Sequence, residues 1–366
     1  MAVRRAVVVG GGLGGLAAAV GLRRIGWDVV VLERAAGFGE VGAGVGVMPN
    51  ALRALSVLGV ADEVRRVGTP RVAARVLDPR GRALVRVAGA GRVVAVHRAD
   101  LHGVLRAALP ASCLVNSVDV SSVESLDGDL VVVADGVRSR LREALFPGVT
   151  GPVYGGVTAW RSVTEARFPA DLAISQTVGD GVEFGVLPLG DGRVCWYAAT
   201  EAPEGVVSSD ELGVVRGLVG RWHAPIPSVL DSTGVVLRHD IYELGAPLPS
   251  YVSGRAVLLG DAAHAMTPYL GQGACMAFED AVVLAAACDR FPSVEQALAA
   301  YDRVRRPRTQ AVARASRVAG RMGFRLRNPL AVAARDLALR AMPSWAVVKG
   351  AERFTAWRPP VESLDR

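Results

Sequence analysis

The sequence predicts an α/β fold that combines a nucleotide-binding strand-turn-helix unit with an antiparallel sheet. Two observations carry this prediction. Residues 6–9 form a buried-strand run that leads through a glycine-rich turn into a helix-forming segment. Residues 71–96 and 152–250 show short alternating runs separated by Gly-Asp-Gly and Pro turns, a pattern typical of antiparallel strands.

Composition favours a soluble globular enzyme. The chain has 366 residues, of which 51% are hydrophobic, so it is long enough for two lobes that share a core. The sequence contains neither an apolar run of membrane-spanning length nor a signal-peptide pattern, and this predicts a cytoplasmic protein.

Charge and cysteine content argue against several other classes. The net charge of +7 comes almost wholly from scattered arginines, and aromatic residues make up only 5% of the chain, which argues against nucleic-acid binding. The four cysteines lack C-x-x-C spacing, so we expect them to be reduced and buried, and we expect no metal site.

The first motif is G-x-G-x-x-G, formed by Gly10, Gly12 and Gly15 between a strand and a helix. Such glycines permit a tight turn and let the backbone approach a pyrophosphate, which the helix N-terminus stabilises. The next apolar run ends in Glu33, where a carboxylate can bind an adenosine ribose. The motif predicts a dinucleotide site for NAD or FAD, with Gly10, Gly12, Leu13, Gly14, Gly15, Glu33 and Arg34 as its residues.

Two further apolar runs also end in acidic turns. LVVVAD runs into Asp135 and Gly136, followed by VRSRLRE, and VLLGD ends in Gly260 and Asp261. The ordered set GGGLGG, ADGVRSRLR and LLGDAAHAMTPYLGQGACMAFEDA resembles the group A flavoprotein monooxygenases, the para-hydroxybenzoate hydroxylase family, over about residues 1–310. The resemblance implies that FAD is the cofactor, that Asp261 binds its ribityl chain, and that Asp135 and Gly136 lie near the pyrophosphate.

The segment after Asp261 continues the resemblance. Gly271, Gln272 and Gly273 precede a helix, so their backbone N-H groups favour the negative charge of a reduced flavin around N1 and the C2 carbonyl oxygen. By resemblance, Gly46, Arg98 and Pro268 also lie near the flavin. We interpret His97, His102 and His264 as structural hydrogen-bonding residues rather than catalytic ones.

The resemblance also implies a domain organisation. We expect an α/β fold with a Rossmann-like FAD-binding domain (residues 1–70, 97–151 and 252–306) and an inserted antiparallel-sheet substrate domain (residues 71–96 and 152–251). Residues 307–366 are expected to form a C-terminal helical region, with helix breaks at Pro307, Pro329 and Pro343. The protein is expected to be a monomer or a homodimer, away from membranes.

The expected reaction is hydroxylation of a hydrophobic aromatic or polycyclic substrate. The sequence has no second strand-flanked G-x-G-x-x-G, so NADPH or NADH is expected to bind transiently as reductant. The resemblance implies that oxygen is transferred from a C4a-hydroperoxyflavin. Epoxidation or Baeyer-Villiger oxidation of a non-aromatic substrate, a flavoprotein reductase, and an FAD-holding regulatory protein stay open as alternatives.

The substrate is expected to lie between the antiparallel sheet and the flavin. Aromatic residues on the sheet strands and the proline before Gly271 are the candidate contacts. They are Trp160, Phe184, Tyr197, Tyr242 and Pro268. If Trp160 faces the pocket, its neighbour Arg161 faces away, because successive side chains of a strand point to opposite faces.

Overall fold

The computed structural model describes residues 3–39 and 43–359. The strands are β1 (Arg5–Val9), β2 (Asp28–Leu32), β3 (Gly44–Val47), β4 (Thr69–Leu77), β5 (Ala83–His97), β6 (Leu114–Val115), β7 (Leu130–Val133), β8 (Pro152–Val163), β9 (Ile174–Val178), β10 (Val182–Pro188), β11 (Val194–Glu201), β12 (Leu237–Leu244), β13 (Val252–Ser253) and β14 (Ala256–Leu258). The helices are α1 (Leu13–Arg24), α2 (Pro49–Val57), α3 (Ala61–Val67), α4 (Arg98–Ala107), α5 (Arg140–Leu145), α6 (Glu211–Val219), α7 (Ile226–Asp231), α8 (Asp261–His264), α9 (Gly273–Arg290), α10 (Val294–Ala319), α11 (Pro329–Ala341) and α12 (Ser344–Thr355).

The smaller sheet is mainly parallel, with strand order β13-β14-β7-β1-β2-β6. Its central strands β1 and β7 are runs of valine that are almost fully buried, as parallel strands covered on both faces should be. Helix α1 packs against α9 and against β1 and β7, and all of these elements contribute to one continuous core. This sheet is the predicted Rossmann-like unit.

The larger sheet has the strand order β12-β8-β11-β10-β9-β4-β5-β3 and is antiparallel except for the β4–β9 pair. Two separate chain segments therefore form one sheet, as the sequence predicted. Strand β3 also joins this sheet by pairing with β5, although its residues precede the expected sheet segment at residues 71–96.

The C-terminal region is helical, but Pro307 does not break it. Pro307 lies inside α10, whereas Pro329 is the first residue of α11 and Pro343 directly precedes α12. Arg305 and Arg308, on either side of Pro307, are held by ion pairs to Glu279 of α9, and this packing overrides the local preference of proline. None of the described helices is both long and apolar enough to cross a membrane.

Candidate active site

The glycine-rich turn is closely packed at the carboxyl end of β1. Gly10 has φ +106°, and a Cβ atom there would lie 2.3 Å from the carbonyl oxygen of Ala134. A Cβ atom on Gly15 would lie 2.0 Å from the carbonyl oxygen of Gly10. Gly12 precedes α1 without a side-chain cap, so the first N-H groups of the helix, at Leu13 and Gly14, are directed towards an external anion.

Glu33 follows β2 and lies against the same turn. One carboxylate oxygen accepts a hydrogen bond from the Gly11 N-H at 2.7 Å, and the other accepts one from the Ala35 N-H at 2.8 Å. Each carboxylate oxygen retains a further lone pair for a ribose hydroxyl. The neighbouring Arg34 is exposed.

Asp135 follows β7, the strand between β1 and β14. Its Oδ1 atom is buried and has no hydrogen-bond partner in the described part of the chain. Burial raises the pKa of Asp135, although hydrogen bonds from Ser139 and the backbone partly oppose this shift. A buried acceptor without a partner fits a site that receives a donor from a ligand. Gly136, with φ +86°, turns the chain away directly afterwards.

The third acidic turn follows β14. Gly260 has φ +63°, and Asp261 is exposed at the start of α8. Arg142 is fully buried between the second and third turns, where it donates to the carbonyl oxygens of Ala262 and Val137. The sequence shows this arginine within VRSRLRE but does not indicate that it joins two turns.

A buried ionic network fixes the third turn. Asp280 of α9 accepts hydrogen bonds from the Gly260 N-H at 3.2 Å and from Arg305 at 2.6 Å, and it pairs with His264 at 2.6 Å. Burial alone would raise the pKa of Asp280, but His264 and Arg305 outweigh it and lower the pKa to about 2. Glu279 pairs with Arg305 and Arg308, so the EDA triplet anchors α10.

The loop before α9 contains the turn Pro268–Leu270 and then Gly271 in a left-handed conformation with φ +60°. Helix α9 begins at Gly273 without a side-chain cap, so its N-terminal N-H groups are open to a ligand. The Gln272 side chain does not face this site, because it is buried against Asn50 and Met48 at 2.9 and 2.8 Å. Only the backbone of Gln272 can serve the predicted role.

Two other predicted cofactor residues lie beside the large sheet. Arg98 is the first residue of α4, and its N-H bonds to the carbonyl oxygen of Ala43 at 3.1 Å. Gly46 pairs with Ala95 in the β3–β5 ladder. Both residues therefore lie at the end of the large sheet where β3 pairs with β5.

All three histidines make hydrogen bonds within the protein, and their interpretation as structural residues stays a prediction. His97 accepts from the Ala99 N-H at the start of α4, and His102 bonds to the carbonyl oxygen of Gly11 at 2.8 Å. The third, His264, pairs with Asp280 as described above.

Two candidate substrate residues are on the wrong face of the large sheet. Trp160 and Phe184 are 4% and 0% exposed in a cluster with Trp196 and the helices α6 and α7. The Trp160 indole N-H donates to Glu211 at 2.6 Å, and the Phe184 ring stacks on Trp196 at 5.4 Å. They pack the outer face, so their assignment to the substrate pocket is wrong.

The other candidates are placed differently. Tyr242 lies on the edge strand β12, where Arg138 stacks 4.7 Å from its ring and Tyr154 lies 6.0 Å away. Pro268 is exposed in the loop before α9. Tyr197 alternates with Trp196 along β11, so it lies on the opposite face of the large sheet, which we call the inner face.

The inner face carries polar groups that the sequence did not indicate. Arg161 pairs with Tyr197 in the β8–β11 register and is on the same face. Tyr197 pairs with Gly185, which pairs in turn with Gln176 on β9. Cys195 on this face accepts from the Gly44 N-H at 2.7 Å, which shows that the face is turned to β3. We call Arg161, Tyr197, Gln176 and Glu183 the inner-face polar row.

The comparisons with known proteins agree with this architecture. The family described as FAD binding domain matches residues 4–121 and 97–316. Aurachin C monooxygenase/isomerase from Stigmatella aurantiaca is 36% identical over 364 residues, a match that covers 92% of this chain and 94% of the relative. The 2-heptyl-3-hydroxy-4(1H)-quinolone synthase of Pseudomonas aeruginosa is 31% identical over 366 residues, which covers 92% and 94% of the two chains.

A solved structure is similar over almost its whole length. Klebsiella pneumoniae HpxO complexed with FAD and uric acid has a TM-score of 0.89 and 25% identity to this chain, over 96% of this chain and 97% of that one. With the family match over most of the sequence, these findings show that the chain belongs to the group A FAD-dependent aromatic monooxygenases.

Proposed function

We propose that FAD binds across the carboxyl ends of four adjacent parallel strands, and that NADPH or NADH drives the hydroxylation of an aromatic or heteroaromatic ring held against the inner face of the large sheet. One observation carries the cofactor site. The order β14-β7-β1-β2 places Asp261, Asp135, the glycine-rich turn and Glu33 side by side at one sheet edge. Ligands of open α/β sheets bind at this edge.

The residues at this edge fit FAD in charge and shape. Gly10 and Gly15 leave no room for side chains, so a pyrophosphate can approach the backbone and the N-terminus of α1. The Asp135 carboxyl retains an unpartnered buried oxygen, and Asp261 is open for a ribityl hydroxyl. The N-terminus of α9 would stabilise negative charge on a reduced flavin.

Bound FAD supplies electron transfer from the nicotinamide to O2 and insertion of one oxygen atom into the ring. The protein's part is to hold the ring, exclude water and stabilise charge. We assign the substrate part to residues 71–96 and 152–251, with β3 completing the sheet, and the FAD-binding part to residues 1–70, 97–151 and 252–306.

Purification and turnover with isotopically labelled O2 test this function. The expected protein is yellow and releases FAD on denaturation, because no covalent tether is predicted. Aromatic compounds should accelerate NADPH or NADH oxidation, and the product should contain one labelled oxygen atom. A colourless protein that does not take up added FAD would contradict the cofactor site. Flavin reduction by NADPH or NADH without oxygen incorporation into any tested compound would favour a reductase.

A further inference from the structure

The inner-face polar row is organised by the strand register. Arg161, Tyr197, Gly185 and Gln176 are consecutive neighbours across β8, β11, β10 and β9. Glu183 is two residues before Gly185 on β10, so its side chain is on the same face. Four polar side chains from four strands therefore meet on one patch of the sheet.

Gly185 allows this arrangement because it has no side chain. A Cβ atom at this position would lie 1.9 Å from Cε1 of Tyr197. The Tyr197 ring therefore lies across β10, towards Gln176 and Glu183. Gln176 donates to Oε2 of Glu183 at 2.6 Å, whereas Oε1 of Glu183 accepts no hydrogen bond from the described residues.

Arg161 is a largely buried cation without a counterion. Among the described residues its side chain donates no hydrogen bond, and no carboxylate lies within 4.0 Å of its guanidinium. Burial lowers the pKa of Arg161, and the nearby positive charge of Arg98 lowers it further. Buried charges in proteins are normally paired, so this guanidinium is placed to receive an anionic group.

Glu183 of the polar row faces the loop that carries the predicted flavin contacts. Glu183, Val157 and Ala199 of the sheet line one side of a narrow cleft, and Tyr269 and Phe324 line another side. Tyr269 belongs to the turn Pro268–Leu270, directly before the N-terminus of α9. At the other end of the row, Arg161 is close enough to Arg98, the first residue of α4, to feel its positive charge.

A second, basic cavity is also lined by Tyr269. It has a volume of about 440 Å³ and is lined by Tyr269, Thr267, Glu243 and three arginines spaced four residues apart. These are Arg317, Arg321 and Arg325. Arg317 pairs with Glu243 and Arg325 pairs with Glu201, whereas Arg321 is exposed. The exposed Arg321 gives this cavity a positive charge, which favours the approach of anions from solution.

We propose that Glu183 is the base, and Arg161 the cation, that hold an aromatic substrate with an acidic O-H or ring N-H group as its anion. Glu183 takes the proton: the O-H or N-H bond of the substrate breaks, its electron pair stays on the ring system, and an O-H bond forms on the Glu183 carboxylate. The oxygen that gains the negative charge binds Arg161. This inference rests on the proposed function and narrows its substrate class.

Glu183 and Arg161 would favour hydroxylation by increasing the electron density of the ring. An anionic ring is more electron-rich than the neutral one, so it reacts more readily with an electrophilic oxygen. A ring with an N-H group conjugated to a carbonyl oxygen suits the pair well, because loss of the N-H proton at Glu183 moves charge to the oxygen at Arg161. A purely apolar substrate would instead leave Arg161 buried and unpaired.

The surroundings of Glu183 are suited to proton transfer near neutral pH. Burial raises the pKa of Glu183 to about 7, against the opposing effects of Gln176 and Arg161. The other ionisable groups around it are Tyr197, Tyr269 and, at the edge of the cleft, the Glu201–Arg325 pair. The base form of Glu183 is present above this pKa, so substrate-stimulated flavin reduction should rise as pH increases through about 7.

The test uses the full-length protein loaded with FAD and a matched panel of ligands. The acidic probes are 4(1H)-quinolone, urate and 3-hydroxybenzoate, each compared with its analogue methylated at the acidic N or O. Kd is measured from the change in flavin absorbance, and flavin reduction by NADPH and NADH is measured with and without each probe. At least one acidic probe should bind at least tenfold more tightly than its methylated analogue.

The variants Arg161→Gln and Glu183→Gln distinguish the two roles. Glu183→Gln should abolish the preference for the acidic probe and the rise in rate near pH 7, whereas Arg161→Gln should weaken binding of the acidic probe at least tenfold. Arg216→Gln, on the exposed part of α6, is the control and should change neither. FAD content is measured for every variant as the check of folding, and Arg216→Gln should also retain unstimulated flavin reduction.

Three results would overturn the inference: equal binding of acidic and methylated probes, no binding of any acidic probe, or an unchanged preference in both variants. Loss of FAD from the wild-type protein, or absence of its reduction by NADPH and NADH, would instead contradict the proposed function. The two failures are therefore distinguishable.

Discussion

The two proposed sites, one at the edge of the parallel sheet and one on the inner face of the large sheet, are built by different means. At the parallel edge, close backbone packing at Gly10 and Gly15 and open helix N-termini form the site. On the inner face, side chains such as Arg161 and Glu183 form it through a register of four strands. The residues of the first site are therefore determined by short local motifs, whereas those of the second are brought together by pairing between distant segments.

The largest effect on FAD binding is expected from a substitution at Gly15, because the proposed cofactor site depends on close backbone packing. Gly15→Val would place Cβ 2.0 Å from the Gly10 carbonyl oxygen, so the turn must move and FAD binding should be lost. The FAD content of the purified protein, measured after denaturation, checks this. Gly103→Ala in α4 is the control, because a Cβ atom there meets nothing within 4 Å. FAD retained at wild-type content in Gly15→Val would contradict a cofactor site built on close backbone packing.

The next largest effect is expected for Arg305→Ala. The substitution leaves Glu279 and Asp280 buried with a lost partner, and breaking such a network costs about 3 to 5 kcal/mol. Urea unfolding measures the change in the free energy of unfolding. The control Arg66→Ala breaks an exposed pair with Glu63 and should cost less than about 1 kcal/mol. Equal costs in the two variants would refute the structural importance of the buried network.

The same network predicts how stability depends on acid. The folded-state pKa of Asp280 is lowered from 3.8 to about 2, so its contribution to stability is fully present above the unfolded-state pKa. This contribution is lost as pH falls through about 2. In Asp280→Asn, the free energy of unfolding should be smaller and should fall less steeply between about pH 5 and pH 2. An unchanged slope in urea unfolding series would contradict the assignment.

A smaller effect is expected for Asp261→Ala, which removes a proposed acceptor for the ribityl hydroxyls. FAD binding should weaken by about 1 to 3 kcal/mol, the range for polar groups left without a partner. Because Asp261 is exposed, the free energy of unfolding of the FAD-free protein should hardly change. Titration of the FAD-free protein with FAD, followed by flavin fluorescence, gives both Kd values. Equal Kd values would remove Asp261 from the site.

The same contrast explains what the sequence could predict. Strand-turn-helix motifs have fixed local spacing, so the glycine turns, Glu33, Asp135 and Asp261 could be located from the sequence, although their contacts with FAD stay predictions. The inserted sheet could be predicted from alternation and turns. Alternation alone does not say which face of a strand is buried, and for this reason Trp160 and Phe184 were assigned to the wrong side.

Long-range ion pairs could not be predicted from the sequence either. Arg305 and Asp280 are 25 residues apart and on different helices, and no local pattern joins them. The same packing explains why Pro307 stays inside α10, since ion pairs on both of its sides stabilise a helix that local propensity would interrupt. Tertiary contacts of this kind are decided by the fold and not by neighbouring residues.

The smallest effects are expected for single side-chain changes on the two faces of the large sheet, and they distinguish the outer face from the inner face. Trp160→Phe removes the indole donor to Glu211, so stability should fall by about 1 to 3 kcal/mol while substrate-stimulated flavin reduction stays unchanged. Tyr197→Phe removes a hydroxyl from the inner-face polar row and should leave stability within about 1 kcal/mol, because the ring still packs over Gly185. Its effect should appear as a several-fold increase in the Kd of the acidic probe. Unfolding and probe binding measured on both variants give four values. If Trp160→Phe changes probe binding and Tyr197→Phe does not, the outer face of the sheet contacts the substrate and the assignment of the two faces is reversed.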